Sequence, residues 1–362
     1  MKLGLIGLPL TGKTTCFNLL TNIAGELSDF SSGKVAANIG IAKIPDARID
    51  FLTEMYRPKK TILATIEVTD IKGIISDSSG KDSTAAKFLE SVRQVDSLVH
   101  VVHAFKNNNV IHTEGSIDPL RDIETISMEL LFADLAIIEG RIQRIESGKK
   151  VTSENLKELE VLKKCREGLE NERLVNSIGL TEDESQHLKS YNFLTERPLI
   201  LLVNLDEDQF KSGKYDKKEQ VMKYVSDKHI PVVEISAKNE LEINTLEEED
   251  KKLFMEDLGI TETGINRLST AAYDYLGLIS FFTVGEDEVR AWPIKKGISI
   301  KVAAGKIHSD IERGFIRAEV VKYADLKALG SMQSVKQKGL FKLESKEYIV
   351  KDGDIINFRF NV

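Results

Sequence analysis

A chain of 362 residues, 30% charged and 41% apolar, is too long for one small domain and has the composition of a water-facing globular protein. A net charge of −7 excludes a generic nucleic-acid binder, although residues 278–362 carry 15 Lys and Arg against 11 Asp and Glu, which permits an RNA contact at that end. Cys16 and Cys165 are too few and too distant for a disulfide framework, no apolar run approaches ~18 residues, and Met1-Lys2 leads straight into a strand; a reducing cytoplasm and no membrane partner are the expectations.

The first element is an apolar strand, Leu3, Leu5 and Ile6, followed by Gly7-Leu8-Pro9-Leu10-Thr11-Gly12-Lys13-Thr14-Thr15 and a helix through Cys16-Phe17-Asn18-Leu19-Leu20. A glycine, four residues, then Gly-Lys-Ser/Thr between a strand and a helix is the P-loop pattern. Its backbone amides and the helix N-terminus would cradle a polyphosphate, Lys13 would sit on the β- and γ-phosphates, and the Thr14 hydroxyl would bind Mg²⁺.

Residues 25–40 read as a loop, where a Thr would be expected to reach Mg²⁺ and the γ-phosphate. Ala64 to Thr69 alternates as a strand and delivers Asp70-Ile71-Lys72-Gly73. Alone, Asp-x-x-Gly is equally an ordinary turn. Behind a P-loop, Asp70 would hold Mg²⁺ through water and the Gly73 amide would meet the γ-phosphate. After a loop and a short helix at Lys87 to Val92, Ser97 to His103 is a buried strand by its continuous apolar character. The loop beyond it ends at His112, which on its own reads as a hydrogen-bonded surface or hinge residue.

From Ile123 to Ile145, and again from Leu156 to Leu169, apolar residues recur at three and four, with Gly148-Lys149-Lys150 between; this predicts an antiparallel helical hairpin. A further helix begins at the capping box Thr181-Glu182-Asp183-Glu184. The strand Pro198 to Val203 then delivers Asn204-Leu205-Asp206-Glu207, and Pro231 to Ile235 delivers Ser236-Ala237-Lys238. In P-loop GTPases the corresponding places carry Asn-Lys-x-Asp and Ser-Ala-Lys around the purine. Four such signatures in order, each behind a strand, are far more specific than any one. Glu207 is one methylene longer than the guanine-selecting Asp, and Leu205 replaces the Lys that packs over the base, so guanine preference does not follow.

Residues 239–276 read as closing helices. Beyond Gly277 come short strands, 279–284, 289–292, 298–302 and 354–360, interrupted by a helix at about 304–313. They predict a small α+β domain of ubiquitin-like size without a catalytic constellation.

Together these residues resemble the YchF family of Obg-related P-loop NTPases, over essentially the whole chain. The resemblance is carried by the P-loop, by Pro45-Asp46-Ala47-Arg48 and Pro58-Lys59-Lys60, by Asp70 to Gly73 and by Asn204 to Glu207. Near the C-terminus it is carried by Glu288 to Trp292, Arg313 to Glu319, and Tyr348-Ile349-Val350-Lys351-Asp352-Gly353-Asp354. It implies an α/β P-loop G domain (1–121 and 197–277), interrupted by a helical coiled coil (122–196) and closed by a β-grasp TGS domain (278–362). It also implies ATP hydrolysis in preference to GTP, and association with the ribosome. The family lacks the glutamine that positions water in Ras-like proteins; Ile74 holds that place, and His112 matches the histidine implicated instead. Leu10 stands where the family usually has an Asn associated with K⁺ coordination, so K⁺ dependence is not carried over. The switch-I Thr aligns with Lys34 or its neighbours in Ser31-Ser32-Gly33-Lys34; a lysine cannot ligate Mg²⁺, although its charge could pair with the γ-phosphate, and several switch-II glycines are replaced, which restricts backbone freedom.

The expected function is a slow, Mg²⁺-dependent ATP-preferring NTPase acting as a ribosome- or RNA-associated switch. A nucleotide-sensing module with little hydrolysis, or a GTP-preferring enzyme, remains open.

Overall fold

The computed structural model describes residues 1–21, 38–71, 83–107, 112, 114–148 and 151–361. The chain begins with β1 (Lys2–Ile6), α1 (Lys13–Thr21), β2 (Asn38–Lys43), α2 (Ala47–Tyr56), β3 (Lys60–Ile62) and β4 (Thr65–Asp70). Then follow α3 (Ser83–Val92), β5 (Ser97–His103), the long helices α4 (Pro119–Glu146) and α5 (Ser153–Glu170), and α6 (Glu182–Leu188). Next are β6 (Leu199–Asn204), α7 (Glu207–Ser212), α8 (Lys218–Asp227), β7 (Val232–Ile235), α9 (Ala237–Thr245), α10 (Glu248–Asp257) and α11 (Gly264–Tyr275). The last stretch holds β8 (Leu278–Val284), β9 (Glu288–Lys295), α12 (Ile300–Ile307), α13 (Ser309–Arg313), β10 (Phe315–Lys322), α14 (Tyr323–Leu329), α15 (Met332–Gln337), β11 (Lys342–Glu344) and β12 (Asp354–Phe360). Two units form: Met1–Gly40 with Glu67–Leu268, and Ile41–Ile66 with Ser269–Val362.

In the first unit the sheet order is β2-β4-β1-β5-β6-β7. The β4, β1, β5, β6 and β7 pairs are parallel, and β5 and β6 are buried along their whole length, as expected for a sheet covered by helices on both faces. Their continuous Val/Leu/Ile texture is what that burial demands. The register sets Leu5 beside Asp70, Ile6 beside His100, and His103 beside Asn204. The carboxyl ends of four neighbouring strands therefore open onto one edge, where open α/β sheets bind ligands.

Helices α4 and α5 form the predicted hairpin, with their own core of Leu131, Ile138, Ile142, Leu162, Cys165 and neighbours. Thr152 caps α5 and Thr181 caps α6, both through reciprocal capping boxes. At the hairpin's return, the fully buried Asp134 accepts from the Leu194 amide (3.0 Å), the Thr195 amide (2.8 Å) and the Thr195 hydroxyl (2.8 Å). Three donors satisfy a carboxylate that burial would otherwise make very costly.

The second unit has the sheet β11-β10-β12-β8-β9-β3. Strand β8 is antiparallel to β9 and parallel to β12, while β10 is antiparallel to both β12 and β11. With α12 crossing between β9 and β10, this is the 2-1-5-3-4 order of a ubiquitin-like β-grasp around Phe281, Ile294, Ala303, Val320 and Ile356. Strand β3 extends the sheet, parallel to β9, with Lys60, Thr61 and Ile62 beside Glu288, Val289 and Arg290.

Two differences from the sequence expectations have physical causes. Residues 298–302 read as a strand because Ile298, Ile300 and Val302 alternate; instead α12 starts at Ile300, burying Ile300, Ala303 and Ala304 at helical spacing, and the single helix expected over 304–313 becomes α12 and α13. The segment Ile41–Ile66, read as part of the nucleotide domain, belongs to the second unit. Its Asp46 caps α2, and Arg48, held by Asp46, forms a 2.6 Å ion pair with Asp352 while lying over the Phe282 ring. Asp352 also accepts from the Ser280 amide at 2.9 Å. Two positions on, the buried Asp354 takes donors from Lys322, Tyr348 and the Lys351 amide. The motifs at 45–48 and 348–354 are thus one interlocked construction.

Candidate functional site

The loop between β1 and α1 is shaped by two glycines. Gly7 has φ +142°, and a Cβ there would meet the Val101 carbonyl oxygen at 2.4 Å; Gly12 has φ +92°, and its Cβ would meet Asn204 Nδ2 at 2.5 Å. Both demand the absence of a side chain. Cys16 N–H bonds back to the Gly12 oxygen, so the amides at the start of α1 face outward without helical partners, at its positive end.

Lys13 is buried, and its Nζ donates to the Gly7 oxygen (2.9 Å) and the Leu8 oxygen (2.6 Å). An ammonium has three donors, so one remains for an anion. Burial lowers its pKa to about 8, with Asp70 opposing the shift. Beside it the buried imidazole of His100 has no hydrogen bond on either nitrogen, and burial together with Lys13 pushes its pKa down to about 3. The Thr14 hydroxyl donates to Asp70 Oδ2 at 2.9 Å, bringing two oxygen ligands of the hard-cation type together at the strand edge. Thr11 is buried and bonds to the Leu8 oxygen. Leu10 has φ 62° and a hydrocarbon side chain 58% exposed, with no ligand atom to offer a monovalent cation.

A cleft of about 1650 Å³ is lined by Leu10, Gly12, Lys13, Thr14, Thr15, Asn204, Leu205, Glu207, Ala237 and Lys238. Gly7, Leu8, Pro9, Thr11 and Ser236 are not among the residues that line it: Thr11 braces the loop and Ser236 caps α9. Asn204 is buried and spends its amide on protein, donating to the Thr11 oxygen and accepting from the Ala237 amide, both at 3.1 Å. It ties the phosphate loop to the start of α9. Asp206 is likewise consumed: Oδ1 accepts from Gln209 N and Oδ2 from Lys106 N, each at 2.9 Å. Asp206, Glu207 and Asp208 all line the cleft, Glu207 from the first position of α7 with its carboxylate 3.3 Å from the Lys211 ammonium.

His112 is not on that wall. It is buried, its Nδ1 accepts from the Glu114 amide (3.1 Å), and its Nε2 donates to Asp122 Oδ2 at 2.7 Å. Arg121 holds the other oxygen of Asp122. Gly73, Ile74 and Lys34 lie outside the described residues.

Phe105, Lys106, Lys211 and Leu241 also line the cleft and were not singled out by sequence. For the first two a signal existed: β5 ends at the same sheet edge as β4 and β6, so the residues after His103 had to reach the ligand side.

A family model described as a 50S ribosome-binding GTPase matches residues 2–138, and the model of the YchF GTPase C-terminal domain, described as a protein of unknown function, matches 278–361. The chain is 42% identical over 361 residues to the ribosome-binding ATPase YchF of Bacillus subtilis, covering 99% of each. It is 41% identical to the protein of the same name in Haemophilus influenzae, covering 100% of this chain and 99% of that one. The solved YchF GTPase of Schizosaccharomyces pombe superposes with a TM-score of 0.88 at 29% identity, covering 99% and 97% of the two chains.

Proposed function

The chain belongs to the YchF family of P-loop NTP hydrolases, and from that premise we propose that it is a Mg²⁺-dependent, ATP-preferring hydrolase whose nucleotide state is read by the ribosome. The observation that carries the nucleotide reading is the convergence of Lys13, Thr14 and Glu207 on one cleft, with Asp70 hydrogen-bonded to Thr14. Ribosome association is supported by the printed names of the bacterial relatives and of the matching family model.

Phosphoryl transfer to water needs positioning and charge neutralisation more than covalent chemistry. The free α1 amides and the third Lys13 donor bind the phosphates. The Thr14 hydroxyl and the Asp70 carboxylate are the residues that would hold Mg²⁺, which when bound supplies positive charge to the phosphate oxygens. Glu207 meets the purine edge, with Leu205, Phe105 and Leu241 as apolar surroundings. A Glu in place of the guanine-binding Asp, and a Leu in place of Lys, support ATP over GTP. The hydrocarbon of Leu10 supports turnover without K⁺.

His112 is the residue we assign to orienting the attacking water. Both its nitrogens are engaged, one by Asp122 and one by the Glu114 amide, so it must give up these bonds before it can serve water. This supports slow basal turnover that a partner could raise. The helical hairpin (122–196) and the C-terminal TGS domain (278–362), with its 15 Lys and Arg, are the surfaces we assign to ribosome or rRNA, and the cytoplasm is the compartment that follows. No helix among the described residues is long and apolar enough to cross a membrane.

Competition of ATP and GTP in single-turnover hydrolysis, with and without ribosomes, tests the reading. ATP should win and ribosomes should accelerate it; a strong GTP preference would overturn the specificity assignment.

A further inference from the structure

Glu207 does not stand alone on the cleft wall. Lys211, one helical turn later on α7, lines the same cleft, and its Nζ lies 3.3 Å from Glu207 Oε1. A second carboxylate, Asp257 at the end of α10, holds the same Nζ at 3.3 Å. Lys211 is thus suspended between two acids, and these two hydrogen bonds raise its pKa, so it stays charged. At roughly 40% exposure the Glu207–Lys211 pair contributes little to stability. Its position gives it something else to do: the wall shows an incoming base one group that only accepts and, beside it, one that only donates.

Purines differ in that pattern. The Watson–Crick edge of adenine offers the N6 amino donor next to the N1 acceptor. Guanine offers two adjacent donors, N1–H and the 2-amino group, beside the O6 acceptor. A lone carboxylate suits the two donors of guanine; an acid at the 6-position next to an ammonium at ring N1 suits the donor and acceptor of adenine, whereas the reverse placement would suit N1–H and O6 of guanine, so the placement selects.

We propose that Lys211 is a purine-selecting residue of this chain, donating to the ring N1 of adenine while Glu207 accepts from the N6 amino group. Against guanine the same ammonium faces N1–H, donor to donor, and one of the two loses its water without gaining a partner; the site discriminates by this repulsion as well as by fit. Asp257 matters because it anchors the ammonium from the far side and keeps it at the wall. The inference rests on the reading of Glu207 as the acid that meets the base.

The experiment is equilibrium binding of Mg-ATP, Mg-GTP and Mg-1-deaza-ATP, which lacks the N1 acceptor, to the full chain and to Lys211→Met, Lys211→Arg and Glu207→Ala. The full chain should bind ATP about tenfold more tightly than 1-deaza-ATP, and Lys211→Met should erase that difference and move the ATP:GTP ratio about tenfold towards GTP, while Lys211→Arg keeps both. Lys211→Met with both quantities unchanged, where Glu207→Ala does move the ratio, overturns the role of Lys211 and leaves Glu207 standing. Glu207→Ala with no change in the ratio overturns the reading of Glu207, and the proposal with it.

Discussion

Arg48 and Asp352 lie 304 positions apart and are joined by a 2.6 Å ion pair, with Asp46 holding the same guanidinium and the Ser280 amide holding the same carboxylate. Removing Arg48 leaves Asp46 and Asp352 facing each other without a cation, and strips a cation from the face of Phe282. Arg48→Ala should lower stability by about 2–3 kcal/mol, read by urea denaturation, with Mg-ATP affinity measured at low temperature little changed. A loss below about 0.5 kcal/mol would show the pair to be ornamental.

The Thr14–Asp70 hydrogen bond predicts a metal-linked phenotype. Thr14→Ala should weaken Mg-ATP binding by at least about tenfold but leave nucleotide binding in EDTA nearly unchanged, because only the metal loses a ligand. Equal losses in both conditions would mean that the hydroxyl serves the loop and not the ion.

Lys13 predicts a pH dependence of definite sign. With its pKa lowered to about 8 by burial, Lys13 is charged below that pH and loses charge above it. Polyphosphate affinity should fall as pH rises from 7 to 9, and binding near pH 8 should take up protons, since a bound anion favours the charged form. Calorimetry in buffers of different ionisation enthalpy measures the uptake. For the free protein the same group acts oppositely: the unfolded chain, with its Lys near 10.5, binds more protons than the folded one, so this residue's contribution to stability rises between about pH 8 and 10.5.

Leu10 predicts a gain. It sits at φ 62°, where an L-residue with a bulky side chain is strained, and its side chain is mostly in solvent. Leu10→Gly, or Leu10→Asn, should stabilise the free protein by roughly 1 kcal/mol in chemical denaturation. If it destabilises, the leucine is packing against something in solution.

His112 gives the kinetic test. His112→Ala should reduce single-turnover ATP hydrolysis about a hundredfold or more without changing ATP affinity. Asp122→Asn, which weakens the bond holding the imidazole away, should raise the basal rate. Unchanged hydrolysis in His112→Ala would move the water-handling role elsewhere.

The placing of the phosphate loop, Asp70, 204–207 and 236–238 at one sheet edge was legible because each follows an apolar strand, and parallel strands hand their successors to the same edge. What periodicity could not show is which sheet a short strand joins. Lys60–Ile62 spans three residues, and only the open edge of β9 decides its partner. Nor could spacing separate the three polar residues of 204–207 into brace, cap and cleft-wall acid; that division depends on Thr11, Gln209, Lys106 and Ala237, all distant in sequence or on another turn. Asp122, the partner of His112, is ten residues away on α4, and the apolar periodicity of that helix carries no information about a polar contact made from its first turn.

The pairing of β3 with β9 sets an order on biosynthesis. Residues 41–66 are made before the strand that β3 joins, which follows roughly two hundred residues later, and before the aspartate that receives Arg48, 304 positions on. Until residues 278–352 have been made, β3 and Arg48 wait without β9 and Asp352, and a product truncated before residue 278 would keep both and lose those partners.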